Sequence, residues 1–259
     1  MPMVAKKLLP RYYSSINIVL KQSKGIVLSY VKYSESSIIA RIYTRDFGLQ
    51  SYMAKGVRSR KSKSKIALFE PLSQVEIVTY HNENKTIHTL KEIRSHYSYQ
   101  SIPFDEIKRS ILFFLDEILI NTIKEESSNE SLFDWLAHSL TWFDLSEESA
   151  LNFHLAFMIQ LSRFLGFYPK KSSMANHRFF DLENGVFVNF IPKTANYLNE
   201  ELTFHFNKLY ENTFEEAAKL SLTSSQRRDL INALVNYYKI HFPGFKDLKS
   251  VDVLKAILS

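Results

Sequence analysis

The chain has no cysteine in its 259 residues. This excludes disulfides, cysteine-ligated zinc and a thiolate nucleophile, and it suits a reducing cytosol. No apolar stretch approaches the ~18 residues of a membrane span. The most apolar short run, Ile111-Leu112-Phe113-Phe114-Leu115, is cut off by Asp116 and Glu117. There is no Gly-rich phosphate loop, no His-Glu-x-x-His and no Gly-x-Ser-x-Gly, so the commonest signatures of enzymatic chemistry are missing. The eight histidines are scattered; His88, His96, His154 and His205 read as ordinary surface or core-edge residues. Asp116-Glu117 and Glu125-Glu126 are adjacent pairs, which diverge on a helix and make no acid/base dyad. Glu147-Glu148 suits the positive end of a helix dipole. With no carboxylate cluster for a catalytic metal, the chain reads as a non-enzyme with no cofactor and no metal.

Acidic residues are missing from two stretches. Residues 1–34 hold no Asp or Glu but hold Lys6, Lys7, Arg11, Lys21, Lys24 and Lys32. Such a start can be a transit peptide, yet Arg is scarce and the pattern of a folded domain begins near Gly25. Residues 1–23 are therefore set apart as a basic extension. The first 20 are expected to be disordered, as a misplaced translation start would leave them. The second gap lies between Asp46 and Glu70, and within it runs Lys55-Gly56-Val57-Arg58-Ser59-Arg60-Lys61-Ser62-Lys63-Ser64-Lys65, six of whose eleven residues are basic. Apolar β-like segments flank the run, so it is an insertion between strands. Each of its cations can displace a condensed counterion from a phosphate backbone. The bland alternative is a solvated lysine-rich loop. A net charge of +6 and a pI near 9.2 lean weakly toward a polyanionic partner. Hydrophobic content of 45% suffices for real cores in one large or two ordinary domains.

Residues 24–96 read as β. Gly25 to Leu28, Ser36 to Thr44, Leu49 to Ala54, Leu72 to Tyr80 and Lys85 to Ile93 form five short strands with turns at Asp46-Phe47-Gly48 and His81 to Asn84, which predicts a small closed barrel. The period then changes from two to about 3.6. Residues 97–259 read as helical: Ile107 to Leu119, Leu132 to Phe143, and a third helix from about Glu147 to Phe167. Near 170–190 the two apolar runs around Asn184-Gly185 predict a hairpin. Thr223 to Gln226 has capping-box spacing, and Ser250 is expected to cap a last helix. No internal repeat is present. The fold class is α+β. On the barrel, Arg41, Tyr43 and Arg45 share one strand face near the basic run. Cations there could track phosphates while Tyr43 stacks bases; Phe47 and Tyr52 are weaker stacking candidates.

Gly25-Ile26-Val27-Leu28, Tyr33-Ser34-Glu35-Ser36-Ser37, Tyr43-Thr44-Arg45-Asp46-Phe47-Gly48 and Ala54-Lys55-Gly56-Val57-Arg58 follow one another in the order and spacing of the bacterial recombination mediator family RecO. Leu68-Phe69-Glu70-Pro71-Leu72 and the Leu248-Lys249-Ser250 segment before the final helix extend the resemblance to the C-terminus. The resemblance implies an OB-fold followed by a helical domain. It implies binding of single- and double-stranded DNA, annealing of complementary strands, and loading of RecA on DNA coated by single-stranded DNA-binding protein (SSB). The implied partners are RecR and the C-terminal tail of SSB, with no membrane. The implied location is the bacterial cytoplasm, on the nucleoid when DNA is bound. Residue by residue, only Ala54 to Arg58 and the basic continuation carry over, giving Lys55, Arg58, Arg60, Lys61, Lys63 and Lys65 as DNA contacts.

Many relatives carry a four-cysteine zinc module where this chain has Lys170-Lys171-Ser172-Ser173-Met174. Met174 and His177 cannot replace four good ligands, so the chain resembles a zinc-less variant whose hairpin is held by apolar contacts. An acidic tail ending in an apolar residue needs an apolar pocket with a cation at its rim. Arg163, Lys170 and Lys171 offer the best local mixture, and Arg109 also adjoins an apolar face. The reading of a different class is a basic OB-fold adaptor that binds RNA or an acidic protein.

Overall fold

The computed structural model describes residues 19–58, 63–81, 85–147, 150–171 and 177–258. The expectations for residues 1–18, and for Arg60 and Lys61, lie outside the described residues. Strands β1 (Val19–Lys32), β2 (Ile38–Thr44), β3 (Gly48–Ala54), β4 (Gln74–His81) and β5 (Ile87–Tyr97) close into a barrel in the order β1-β2-β3-β5-β4. This is the OB topology. β1 serves two neighbours: Val19 to Ile26 pair with β4 and Gly25 to Lys32 pair with β2, with a bulge between Val27 and Ser29. The bulge bends the strand so that the sheet can close. At the changeover Gly25 leaves room for Ile42, whose Cγ2 would lie 2.6 Å from an added Cβ. Closure comes from a short parallel pairing of Ser51–Met53 with Ile87–Thr89.

β1 begins at Val19, so Val19 to Ser23 are barrel and not extension. The signal was weak because Val19 and Leu20 are half exposed and this end of β1 is held by backbone pairing to β4.

The basic insertion contains a short helix, α1 (Lys63–Ile66), which runs into a 3-10 turn at Ala67–Phe69. Beyond the barrel follow α2 (Glu106–Thr122), α3 (Glu130–Leu145) and α4 (Phe153–Phe164). Next come short strands β6 (Lys170–Lys171), β7 (Phe179–Asp181), β8 (Val186–Val188) and β9 (Tyr197–Leu198). Helices α5 (Glu200–Glu211), α6 (Phe214–Ala218), α7 (Ser224–His241) and α8 (Ser250–Ile257) complete the chain. Local chemistry sets several starts. Asp105 and Asn129 cap α2 and α3 by accepting from Lys108 N and Leu132 N, and Thr223 with Gln226 forms a full capping box on α7.

Two helix expectations change. α4 is shorter than the span from Glu147 to Phe167: a 3-10 turn at Ala150–Asn152 precedes it, because the Asn152 amide is drawn to the carbonyls of Ala217 and Leu220. Ser250 does not cap α8. Its hydroxyl and N–H both donate to the Glu117 carboxylate, which also accepts from Lys249 N at 2.8 Å. The start of α8 is therefore satisfied from α2.

The hairpin forms around Asn184-Gly185 and belongs to a four-stranded sheet, β6-β8-β7-β9. Phe180 packs on Phe187, Phe206 and Tyr237, with ring centroids 4.6 to 5.6 Å apart. Apolar contacts thus hold the subdomain. Among the described residues no three His, Asp or Glu side chains gather to hold a metal ion, and no helix is long and apolar enough to cross a membrane.

The barrel and the helices share one core: Ile26, Leu28, Tyr43, Leu49 and Leu72 join the side chains of α2, α3 and α4. Two polar features lock the junction. At one side the Asp144 carboxylate, at the end of α3, accepts from the N–H groups of Gln100, Ser101 and Ile102 and from the Tyr97 hydroxyl. The buried Lys108 ammonium donates to the Ser101 hydroxyl and to the carbonyls of Asp144 and Ser146. At the other side the Gly48 turn lies against residues 125–127, with Leu49 N donating to Glu125 O at 2.9 Å.

Asp116, in the middle of α2, is buried, and its Oδ1 lacks a hydrogen-bond partner. Burial, reinforced by Glu117, pushes its carboxyl up to about 8. An acid raised in the folded state costs nothing below its unfolded pKa of about 3.9 and destabilises increasingly as pH rises toward the folded value. Asp116→Asn is expected to gain stability relative to the parent by about 1.4 kcal/mol per pH unit between pH 4 and 8. Urea unfolding at several pH values measures this; a pH-independent difference would refute the burial of an ionisable Asp116.

Candidate nucleic-acid interface

The basic loop is anchored at both ends. β3 finishes at the buried Ala54, Lys55 is exposed, and Gly56 turns at φ +74° into open space. Val57 then folds back into the barrel core at 4% exposure. The Arg58 N–H donates to Ser36 O and its guanidinium to Ser34 O at 2.9 Å, tying the loop to the β1–β2 turn. At the far end α1 delivers Phe69, fully buried, into the same core. Lys55, Arg58 and Lys65 are thereby held at the two barrel-anchored ends of the loop.

At its foot lies a groove of about 370 Å³ lined by Lys55, Lys65, Lys91, Arg94, Glu76 and Glu92. Arg94 is occupied: its guanidinium bonds the Glu76 carboxylate at 2.8 and 3.0 Å and is the main reason that carboxyl lies below its usual range. Lys91 lies 3.8 Å from Glu92. Lys55 and Lys65 are exposed and ion-paired to no carboxylate among the described residues. Lys91 and Arg94 were missed in the sequence. Alternation along β5 puts Lys91 and Arg94, three residues apart, on opposite faces; the register shift that leaves Lys91 unpaired opposite Val78 and Thr79 is not legible in the sequence.

Two of the sequence candidates have other duties. Tyr43 is 1% exposed. Its hydroxyl donates to Asn129 O at 3.3 Å, its ring lies 6.0 Å from Phe133, and burial followed by the charge of Glu125 raises its pKa to about 12. It does not stack bases: the face it shares with Arg41 and Arg45 is covered there by α3. Arg45 is a clamp between domains. Its guanidinium meets both Asp134 oxygens at 2.8 and 2.9 Å and Glu130 at 2.7 Å, and those hydrogen bonds hold it firmly charged. Tyr52 fills the barrel interior. Phe47 stacks on His81 at 5.2 Å beneath the Lys21 ammonium. Arg41 is partly exposed and without an ion pair among the described residues. An aromatic that does stand free is Tyr33, 61% exposed in the turn held by Arg58.

Of the tail candidates, Arg163 and Lys171 border one pair of tyrosines. Tyr168 and Tyr210 stack at 5.0 Å, and the Lys171 ammonium lies 5.5 Å over Tyr210 while pairing with Glu211. Arg163 and Lys170 are exposed, and the Arg163 charge acts on Tyr168. A larger apolar groove, about 470 Å³, lies elsewhere, between the barrel and α2, and has Arg109 among its lining residues with Leu112 and Phe113.

Comparison with known proteins agrees with this architecture. The description "Recombination protein O N terminal" matches residues 18–99, and "Recombination protein O C terminal" matches residues 104–250. The chain is 36% identical over 241 residues to the DNA repair protein RecO of Phocaeicola vulgatus, covering 93% of this chain and 100% of the relative. It is 38% identical over 239 residues to the DNA repair protein RecO of Flavobacterium psychrophilum, covering 92% and 99%, and 34% identical over 240 residues to that of Bacteroides fragilis, again covering 92% and 99%. Both halves of the chain are matched, and the relatives are spanned end to end: the chain belongs to the RecO family of DNA repair and recombination proteins.

Proposed function

We propose that this protein is a non-enzymatic recombination mediator that binds single- and double-stranded DNA through the anchored basic loop. It anneals complementary strands and, with RecR, helps load RecA onto SSB-coated DNA. The observation that carries this reading is the loop itself: Lys55, Arg58 and Lys65 are exposed on a barrel-anchored segment and are ion-paired to no carboxylate among the described residues. Phosphates meeting those cations release condensed counterions. Neutralising two strands lowers their repulsion, so complementary bases can meet without any covalent step. The SSB tail is assigned to the face of Arg163, Lys170 and Lys171, where cations border stacked tyrosines.

The test is the salt dependence of DNA binding. Replacing Lys55, Arg58, Arg60, Lys61, Lys63 and Lys65 by Ala is expected to weaken binding whatever the sequence. The slope of log K against log salt should flatten by about 0.7 per lost contact on single strands and 0.9 on duplex. A folded variant with an unchanged slope would remove the loop from the interface.

A further inference from the structure

A second groove, about 440 Å³, opens where the barrel meets the loop after α2. Three cations line it: Arg41 from β2, Lys85 just before β5 and Lys124 just after α2, with Glu126 as the one carboxylate. Lys246 acts on the same site from the segment before α8, for its charge and that of Arg41, after burial, push the Lys124 ammonium down. None of these four cations is ion-paired among the described residues. Among the described residues the Lys124 ammonium donates to the Ile120 carbonyl alone, 2.6 Å away at the end of the preceding helix. Gathering like charges that are not paired with carboxylates costs Coulomb energy, which an anion would relieve.

The placement of this groove matters more than its charge. The groove at the foot of the basic loop starts at Ala54 and Leu90, and this second one ends at Ser51 and His88. They sit at opposite ends of the same seam, where Ser51–Met53 pair with Ile87–Thr89. Two or three residues separate them, about 7–10 Å along the strands. Ser51, Met53, Ile87 and Thr89 on that seam are uncharged and partly exposed, so the seam itself carries no carboxylate among the described residues.

We propose that a single nucleic-acid strand runs from the basic loop across the β3–β5 seam to a second phosphate-binding cluster made by Arg41, Lys85 and Lys124. This deepens the DNA-binding reading and rests on it. The cluster takes phosphodiester groups of a strand already held by the loop. A flexible strand can bend over the strongly curved barrel; duplex DNA, stiff over ~150 base pairs, meets one cluster at a time.

Binding of fluorescent oligothymidylate of about 20 nucleotides, longer than the ~4–16 that one OB barrel covers, and of a duplex of equal length is measured across salt. The variants are Arg41→Ala/Lys85→Ala/Lys124→Ala and, sparing the partly buried Arg41, Lys85→Glu/Lys124→Glu; thermal melts confirm folding. The triple variant is expected to flatten the single-strand slope by about 2, at 0.7 per contact, and to leave the duplex slope nearly unchanged. The double reversal should weaken single-strand binding more than duplex binding. If both variants bind single strands as the parent does, while the loop variant loses binding, the track is refuted and the loop stands. If the parent binds no DNA, both readings fall. Inorganic phosphate separates the remaining source: saturable thermal stabilisation of the parent by phosphate, absent in the triple variant with single-strand slopes unchanged, would mean a free-phosphate site and overturn the proposal.

Discussion

Asp144→Ala is expected to cost about 3–5 kcal/mol, a large share of the 5–15 kcal/mol that holds a typical domain folded. Asp144 is 1% exposed and receives three backbone N–H groups from the segment that joins barrel to helices, together with the Tyr97 hydroxyl. Truncation leaves these donors unpaired inside the junction, each at about 1–3 kcal/mol before relaxation. It also removes one of the two carboxylates, Asp105 being the other, whose charge acts on the buried Lys108. Burial alone would push this carboxyl up; the donors of Ile102, Gln100 and Ser101 outweigh it and hold it below its usual range. Its stabilisation is therefore present above the unfolded pKa of about 3.9 and fades as pH falls through the lower folded value. This is the opposite sign to Asp116, so acid should weaken the junction while relieving α2. Urea unfolding of Asp144→Ala within 1 kcal/mol of the parent at neutral pH would refute the assignment.

Gly48→Ala is expected to cost at least about 3 kcal/mol. Gly48 has φ +65°, which alone disfavours a side chain by about 1–2 kcal/mol. A Cβ there would lie 2.3 Å from Ser127 O and 2.7 Å from Ser127 C, which are backbone atoms that cannot rotate away. The β2–β3 turn must then separate from the loop after α2, breaking the hydrogen bond from Leu49 to Glu125. Gly56→Ala is the control. Its φ is +74°, but an added Cβ meets nothing within 4 Å, so only the conformational cost remains. Equal losses in the two variants would show that contact with residues 126–127 contributes nothing.

Much of the fold could be read from periodicity, because strand alternation and helical spacing report directly on which residues must leave water. The five strands, the break before α3, the Asn184-Gly185 hairpin and the α7 capping box all arise from local chemistry. What could not be read was which outward face another element would cover. Alternation put Tyr43 on the outer surface of β2 correctly. Only the docking of α3, 86 residues away at Asn129, turns that surface into core. Arg45 was drawn into an ion pair by the same docking. The anchored loop was legible because its charges are consecutive. The Arg41–Lys85–Lys124 cluster was not, since its members come from three elements and meet only when barrel and helices assemble. Ser250 carries the ordinary sign of a cap, yet a carboxylate from α2 does that work.

The barrel closes through three parallel residue pairs between strands far apart in the chain, whereas its other joints are long and antiparallel. Backbone amides at Ser51–Met53 and Ile87–Thr89 should therefore exchange with deuterium sooner than those at the β1–β4 joint, because the least extensively paired joint opens first. Opening there parts the wall between the two grooves. A strand lying across it would act as a bolt, and the same amides should slow when single-stranded DNA is added while those of β1 stay as they were.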